Sequence, residues 1–246
     1  MSAAGSSTES ARRVAVITGA SSGIGAAAAY ALAQAGWDVV LGARRLERLQ
    51  EVAEATGGRA IALDVTDQAS VDNFASQIER ADLLVNNAGG AKGLERFLDT
   101  DMEHWEWMYN TNVLGTVRMT KALLPKLRAS GDGLIINIGS KAGLDPYENG
   151  SGYNAAKFGL KALTRVLRIE EIADGHPVRV TEIDPGRVAT DFSLVRFDGD
   201  QKRADAVYAD KLNLSAADIA EAIRWVASLP PHMNIDTMNI MPRDQA

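Results

Sequence analysis

The chain has 246 residues, which fits one large α/β domain or two smaller ones, and one domain is predicted. It carries 26 Lys and Arg residues against 32 Asp and Glu residues without long runs of like charge, so nucleic acid and anionic membranes are not expected partners. The absence of cysteine excludes disulfides, thiol catalysis and thiolate metal ligands. The three histidines, His104, His176 and His232, are scattered along the chain, and no metal site is predicted.

The first residues differ in composition from the rest of the chain. Residues 1–11 are small, polar and unpatterned, which predicts a disordered tail before a folded domain of residues 12–246. They lack the apolar segment of a signal peptide, and no apolar run approaches the roughly 18 residues of a membrane span. A soluble, cytoplasmic protein without a membrane partner is therefore expected.

Short β-branched runs alternate with longer stretches of helical periodicity. This alternation predicts an α/β fold with a doubly wound, seven-stranded parallel sheet and helices on both faces. The least patterned segment, residues 189–206, is called the substrate loop below, because a long loop in a compact domain is usually functional. The predicted strands begin at Val14, Asp38, Arg59, Asp82, Leu134, Val178 and Ile235.

The segment TGASSGIG, residues 18–25, follows the first strand and is called the phosphate turn below. Gly19 would permit a tight turn, Gly23 would let a pyrophosphate approach bare backbone, and Gly25 would let the next helix pack close to the sheet. That helix, predicted to begin near Ile24, would offer unpaired N–H groups to phosphates. A plain tight turn is the alternative, but the position after strand one favours nucleotide binding.

Tyr153 and Lys157 lie four residues apart in a helical stretch, so their side chains share one face. A cation beside a phenol lowers its pKa, which would make Tyr153 an acid or base near neutrality. Ser140 ends the fifth strand and would hydrogen-bond the substrate oxygen. Taken alone, the Tyr–Lys pair could be a surface pair and Ser140 a strand-end cap, but their joint occurrence with the phosphate turn favours catalysis.

With further motifs in order, the chain from about Val14 to its C-terminus resembles the short-chain dehydrogenases/reductases, a family with a single-domain Rossmann fold. A shorter likeness, in FSLVRFDGD and in the C-terminal segment, is to the branch with serine/3-hydroxy acid dehydrogenases and sulfoacetaldehyde reductase. The motifs that carry the resemblance are TGASSGIG, Asp64–Val65, the NNAG of residues 86–89, Asn112, Ser140, YNAAK of residues 153–157, and DPGRVAT of residues 184–190.

The resemblance implies a nicotinamide cofactor and assigns roles to further residues. It makes Asn112 a fourth catalytic residue holding a water that connects Lys157 to solvent, although Asn112 alone reads as a local backbone partner. It implies that Lys157, together with Tyr153, binds the nicotinamide ribose. It also implies a homotetramer or homodimer. The other cofactor contacts that it implies are Gly19, Ser21, Ser22, Gly23, Ile24 and Gly25 at the phosphates, Asp64 and Val65 at the adenine, Asn86, Ala88 and Gly89 at the ribose, and Pro185, Gly186, Val188 and Thr190 at the carboxamide.

The end of the second strand bears on the choice of cofactor. An acidic residue there would bind the adenosine ribose and repel a 2′-phosphate, but this sequence has Ala43 followed by Arg44 and Arg45. Guanidinium groups bind phosphate well, so NADP(H) is predicted over NAD(H), with Arg44 as the favoured ligand and Ser21 as a second donor. The alternative is that Arg45 and Arg48 merely begin a solvated helix.

The predicted substrate pocket combines Ser140 and Tyr153 with Leu144, Tyr147, Phe192 and Arg196, over which the substrate loop would close. An inward Arg196 could clamp a carboxylate or sulfonate, which would suit a 3-hydroxy acid or a short anionic aldehyde. An exposed loop arginine or a cofactor contact is the alternative.

The sequence thus predicts an NADP(H)-dependent oxidoreductase that interconverts an alcohol and a carbonyl, with Tyr153 as acid or base. Three alternatives remain open. They are a broad ketone and aldehyde reductase of secondary metabolism, a catalytically silent cofactor-sensing regulator, and an isomerase or dehydratase, whose representatives are generally longer.

Overall fold

The computed structural model describes residues 12–245, so the predicted tail of residues 1–11 lies outside the described residues. Its centre is a parallel sheet of seven strands, as the sequence predicts. The strand order is β3-β2-β1-β4-β5-β6-β9, and a two-strand pair, β7-β8, lies apart from the sheet. The strands are β1 Val14–Thr18, β2 Asp38–Ala43, β3 Arg59–Ala62, β4 Leu83–Asn86, β5 Leu134–Ile138, β6 Arg179–Pro185, β7 Val188–Ala189, β8 Leu214–Ser215 and β9 Thr237–Ile240.

Helices cover both faces of this sheet, which confirms the doubly wound architecture. On one face α1, α2 and α9 bury residues such as Leu32 and Ile223, and on the other α3 and α5 bury residues such as Phe74 and Leu123. A π-helical turn, Asn110–Leu114, joins α4 to α5. The helices are α1 Gly23–Gln34, α2 Leu46–Thr56, α3 Gln68–Ser76, α4 Met102–Tyr109, α5 Gly115–Ala129, α6 Ser151–Ala173, α7 Phe192–Arg196, α8 Gln201–Tyr208 and α9 Ala216–Ala227.

The order of the strands determines where a ligand can bind. The chain winds outward from β1 to β3 in one direction and from β4 to β9 in the other, so the winding reverses between β1 and β4. In open parallel sheets the crevice beyond the carboxyl ends of the strands at such a reversal is the usual ligand site. The phosphate turn follows β1 and therefore lies at this crevice.

The substrate loop differs from its prediction as a long irregular segment. It contains helix α7 and most of helix α8, and β7 pairs in parallel with β8 through Val188 and Leu214. Helix α8 is started by Asp200, whose carboxylate accepts a hydrogen bond of 3.0 Å from the Arg203 N–H. These elements are too short to show a hydrophobic period, so the pattern of the sequence missed them.

The predicted strands run one or two residues past several observed ends. Asp82, Val178 and Ile235, at which predicted strands begin, lie just outside the observed strands, an ordinary uncertainty of element ends. Among the described residues, none of the helices combines the length and the hydropathy that a membrane span requires.

Candidate active site

A cavity of about 610 Å³ lies at the carboxyl ends of β1 to β6. Each of these six strands contributes to its wall either with its last residue or with the segment that directly follows it, as the crevice position predicts. The predicted site residues that line it are Gly19, Ser21, Ser22, Gly23, Ile24, Arg44, Arg45, Asp64, Val65, Ala88, Gly89, Ser140, Tyr147, Tyr153, Lys157, Pro185, Gly186, Val188, Thr190, Phe192 and Arg196.

The phosphate turn is shaped by close contacts between backbones. Gly19 has a φ of +67°, and a Cβ there would lie 2.9 Å from the Cα of Ala88. A Cβ on Gly25 would lie 2.5 Å from the Asn87 side-chain nitrogen, so Gly25 does allow the close packing of helix and sheet. Asn87 in turn donates 2.9 Å to the carbonyl of Thr18, joining the ends of β1 and β4. The N-terminus of α1, at Gly23, therefore opens onto the cavity with bare backbone, a suitable cradle for phosphate.

Two arginines follow β2 at the wall of this cradle. Arg45 donates from Nε to Ser21 Oγ at 3.3 Å and from Nη2 to Ser22 Oγ at 2.5 Å. Arg44 lines the cavity beside it. Arg45 is exposed and lies at the start of α2, as the alternative interpretation has it, and its guanidinium is in addition hydrogen-bonded to the phosphate turn. Both arginines lie where a phosphate on the adenosine ribose would be expected.

Asp64, after β3, stays ionised in this basic surrounding. Burial raises the pKa of its carboxyl, but hydrogen bonds from Thr66 and the charges of Arg44 and Arg118 outweigh burial, so the pKa is lowered overall. The hydroxyl and the N–H of Thr66 both donate to Asp64 Oδ1, at 2.7 and 2.9 Å.

The predicted catalytic side chains meet at the opposite end of the cavity. Tyr153 and Lys157 lie one turn apart near the start of α6, and both are buried. Ser140 follows β5 and its Oγ accepts 3.1 Å from the N–H of Ala142, so its O–H is directed towards the neighbouring Tyr153 hydroxyl. Lys157 Nζ donates 2.8 Å to the carbonyl of Ile138 and lies 5.7 Å from the centre of the Tyr153 ring.

The pKa of Tyr153 differs from the prediction. Burial raises it above the usual value of a phenol, and although the neighbouring Ser140 hydroxyl and Arg196 guanidinium oppose this, the pKa stays raised. Lys157 is not the cation that acts on it, since its amine is turned to the Ile138 carbonyl. The prediction that Lys157 lowers the pKa of Tyr153 is therefore wrong for this structure. Burial also lowers the pKa of Lys157, to about 8.

Arg196 points into the cavity rather than into solvent. Only 8 % of the residue is exposed, and its guanidinium carbon lies 5.3 Å from the ring centres of both Tyr153 and Phe192. Its Nη2 donates to the Tyr147 hydroxyl, whereas its buried Nε has no hydrogen-bond partner. Of the alternatives left open for Arg196, the inward orientation is the one observed.

The comparisons with known proteins agree with this geometry. The family described as short chain dehydrogenase matches residues 13–200. This chain belongs to that family.

An uncharacterised oxidoreductase of Mycobacterium tuberculosis is 58 % identical over 235 residues, covering 96 % of this chain and 93 % of the relative. A sulfoacetaldehyde reductase of Chromohalobacter salexigens is 44 % identical over 239 residues, covering 94 % of each chain. The closed form of a serine dehydrogenase complexed with NADP+ superposes with a TM-score of 0.91 at 39 % identity, covering 95 % of this chain and 96 % of the other.

Some residues predicted to contact ligands in this short-chain dehydrogenase lie away from the cavity. The side chain of Asn86 is buried, where it donates 3.1 Å to Thr120 Oγ1 and 2.9 Å to Asn137 Oδ1. Leu144 and Gly25 also do not line the cavity. Asn86 and Leu144 are thus not among the residues that line the cavity, and their contacts with the ribose and with substrate stay predictions.

Asn112 lies in the π-helical turn before α5, and its side chain is occupied by backbone groups. It donates 2.9 Å to the Gly90 carbonyl and 2.7 Å to the Met108 carbonyl, and it accepts 3.1 Å from the Gly90 N–H. It thus holds the segment after β4 against α4. This is the role of a local backbone partner, which the sequence suggests for Asn112 when it is considered without the family resemblance. Its role with a water beside Lys157 stays a prediction.

Sequence reasoning missed several residues of this short-chain dehydrogenase site. Asn87 and Trp107 line the cavity, and Gln245 reaches it from the C-terminal end of the described chain. Tyr208, in α8, accepts 2.8 Å from Ser193 Oγ and so ties α8 to α7. Asn87 could have been found from the sequence, because it is the second Asn of the NNAG motif. No local pattern indicates Trp107, Tyr208 or Gln245.

Proposed function

We propose that this short-chain dehydrogenase is an NADP(H)-dependent oxidoreductase that interconverts an alcohol and a carbonyl on a small anionic substrate, such as a 3-hydroxy acid or a short anionic aldehyde. The observation that carries the proposal is the buried Arg196 guanidinium beside the Tyr153 ring, with one N–H unused. When bound, the cofactor supplies or accepts the hydride.

The cavity fits a phosphorylated dinucleotide at the end opposite to Arg196. The phosphate turn offers backbone N–H groups, and Arg44 and Arg45 directly follow the position at which an acidic residue would repel a 2′-phosphate. That position holds Ala43, which carries no charge. The NADP+ complex of the similar serine dehydrogenase supports the same choice.

Tyr153 is the proton donor in the reductive direction. Because its pKa is raised, the phenol is protonated at neutral pH and can give its proton to the alkoxide that forms on the substrate. The O–H of Ser140 would donate a hydrogen bond to the same oxygen and stabilise its charge. In the oxidative direction the phenolate would take the proton of the alcohol.

Arg196 selects the charge of the substrate. A buried guanidinium with an unpaired donor is costly, and a carboxylate or sulfonate would supply the missing partner. The rings of Phe192 and Tyr147 pack around the guanidinium, with centres 5.3 and 5.7 Å from its carbon. The similar relatives act, by their names, on a sulfonate and on an amino acid, which supports an anionic substrate.

A spectrophotometric screen tests this function. Oxidation of NADPH and NADH is followed with sulfoacetaldehyde, malonic and succinic semialdehydes, and neutral aldehydes and ketones of matched size. We expect turnover with NADPH and the anionic aldehydes. Tyr153→Phe should reduce kcat by at least about 100-fold while the affinity for NADPH changes by less than about threefold.

Two results would contradict the proposal separately. Turnover that survives in Tyr153→Phe removes the proton-donor role. Equal kcat/KM for anionic and neutral carbonyls removes the role of Arg196 but leaves the reaction class intact.

The homodimer or homotetramer stays a proposal. Apolar side chains exposed on α4 and α6, among them Tyr109, Phe158 and Ile169, support such an assembly. Light scattering after size-exclusion chromatography measures it directly. The cytoplasmic location also stays a prediction.

A further inference from the structure

Two buried carboxyl groups lie behind the catalytic end of the cavity. Glu182 and Asp184 alternate along β6, so both point to the face of the sheet that α6 covers, and they are 2 % and 0 % exposed. Asp184 Oδ1 accepts 2.9 Å from the N–H of Ser140. The pair therefore touches the backbone of a residue assigned to the reaction.

The two carboxyl groups approach the same point. A Cβ on Gly139 would lie 1.9 Å from Asp184 Oδ1 and 3.0 Å from Glu182 Oε1, so a glycine is needed in front of them. Glu182 Oε1 is buried and accepts no hydrogen bond. Two close carboxylates in a buried site repel each other when both are ionised, and one proton on the pair relieves this repulsion and supplies a hydrogen bond between them.

The positive charges around the pair come from α6. Lys161 Nζ lies 3.4 Å from Asp184 Oδ2 and 3.7 Å from Glu182 Oε1, and the side chain of Lys161 is 34 % exposed. The charges of both carboxyls raise the pKa of Lys157, whereas Arg168 interacts with Glu182 but is paired at 3.3 Å with Asp236, which precedes β9. From the cavity side Tyr153 is the titratable group that faces Asp184. Among the described residues, Lys161 is thus the cation whose side chain lies within 4 Å of both carboxyl groups.

We propose that Glu182 and Asp184 form a carboxyl pair that shares one proton near neutral pH, positions Ser140 through its backbone N–H, and stabilises the ammonium form of Lys157. This inference rests on the proposed roles of Ser140 and Lys157. The oxygens of Asp184 already accept from the Ser140 N–H and from Lys161, whereas Oε1 of Glu182 accepts no hydrogen bond. Glu182 carries the proton, and both are positioning residues.

The directions of the pKa changes agree with this arrangement. Burial and the neighbouring Asp184 raise the pKa of Glu182 to about 7, while both carboxyls raise the pKa of Lys157 against the effect of burial. When pH rises through 7 the pair gains a second negative charge, which keeps Lys157 protonated to higher pH. Removal of either carboxylate should therefore move the loss of the Lys157 proton to lower pH.

The test compares pH profiles of kcat/KM for NADPH-dependent reduction. In Glu182→Gln the alkaline limb should shift to lower pH by at least about half a unit, because one negative charge near Lys157 is gone. Glu170→Gln is the matched control, because Glu170 is exposed on α6, the helix that carries Lys157. This variant should leave the pH profile unchanged. An unshifted alkaline limb in a folded Glu182→Gln enzyme overturns the electrostatic role.

A second pair of variants tests the positioning of Ser140. Asp184→Asn keeps an oxygen that can accept from the Ser140 N–H, whereas Asp184→Ala does not. We expect kcat to fall at least about tenfold further in the alanine variant than in the asparagine variant, with similar KM for NADPH. Equal kcat in the two folded variants overturns the positioning role.

Infrared spectroscopy of the wild-type protein tests the shared proton without any turnover. The band of a protonated carboxyl group should be present at about pH 6 and fade with a midpoint near 7, where ordinary carboxyls are already ionised. If no such band is present, the shared proton is refuted even if the variants do not fold. Because this measurement needs no substrate, its failure differs from failure of the proposed function, which Tyr153→Phe tests.

Discussion

The two ends of the cavity are built in different ways. The phosphate turn is shaped by backbone, with Gly19 at a φ of +67° against the backbone of Ala88 and with Thr18 joined to Asn87. The substrate end is shaped by side chains from distant segments, since Arg196 and Tyr147 are 49 residues apart in the chain. A site made of backbone conformation requires particular residues in one short segment. A site made of side chains requires only that the fold bring them together.

The largest expected effect breaks the backbone end. Gly19→Ala places a Cβ about 2.9 Å from the Ala88 backbone, so the turn must move and NADPH affinity should fall at least about 100-fold. Gly57→Ala is a matched control, because Gly57 has nearly the same φ, +65°, with nothing within 4 Å. It should lose about 1 kcal/mol of stability and keep its affinity for NADPH. Fluorescence titration measures both affinities, and similar losses in the two variants would show that strain, not contact, is responsible.

The next effect breaks the side-chain end. Arg196→Ala should lower kcat/KM for anionic aldehydes by about 30-fold and for neutral ones by less than about threefold, because a buried charge-assisted contact is lost. Arg203→Ala is the control, since Arg203 is exposed on α8 and stacks on Phe197 at 4.2 Å. Steady-state kinetics on both substrate classes decide the matter. An equal loss on neutral aldehydes would mean that Arg196 supports the pocket rather than the substrate charge.

This difference also explains how much the sequence could predict. The parallel sheet, the phosphate turn and the shared face of Tyr153 and Lys157 follow from periodicity and from local spacing, and the structure has them. The same spacing could not give the sign of the pKa change of Tyr153. That sign is the result of two opposing effects, because burial raises the pKa of Tyr153 and the charge of Arg196 lowers it. Arg196 lies 43 residues further along the chain.

The asparagines illustrate the same limit. Asn86 and Asn87 are adjacent, yet Asn86 turns into the core towards Asn137 while Asn87 lines the cavity. Strand alternation predicts that neighbours point in opposite directions, but it does not show which one meets the core. That depends on the register of β4 against β5, which pairs Asn86 with Asn137.

A smaller effect sharpens the comparison within the backbone end, where two side chains select the cofactor. Arg44→Ala and Arg45→Ala should each lower the preference for NADPH over NADH by about tenfold, because each removes a charge-assisted phosphate contact. Arg59→Gln serves as control, since Arg59 donates 2.7 Å to the Gln77 carbonyl and does not line the cavity. The ratio of kcat/KM for the two cofactors is the measurement. An unchanged ratio in both alanine variants would place 2′-phosphate recognition elsewhere.

The smallest effect concerns the ion pair that connects the two ends. Arg48 of α2 lies 3.6 Å from Asp191 at the start of the substrate loop, with the two side chains 57 % and 50 % exposed. Exposed pairs contribute about 0–1 kcal/mol and are screened by salt, so Arg48→Gln should speed NADPH release by at most about threefold at low ionic strength and not at high. Stopped-flow release of NADPH measures this, with Arg224→Gln as a control that breaks the surface pair with Glu221 on α9. A larger change that persists in salt would mean that the loop is held to the cofactor end by more than this contact, and that the two ends close as one unit.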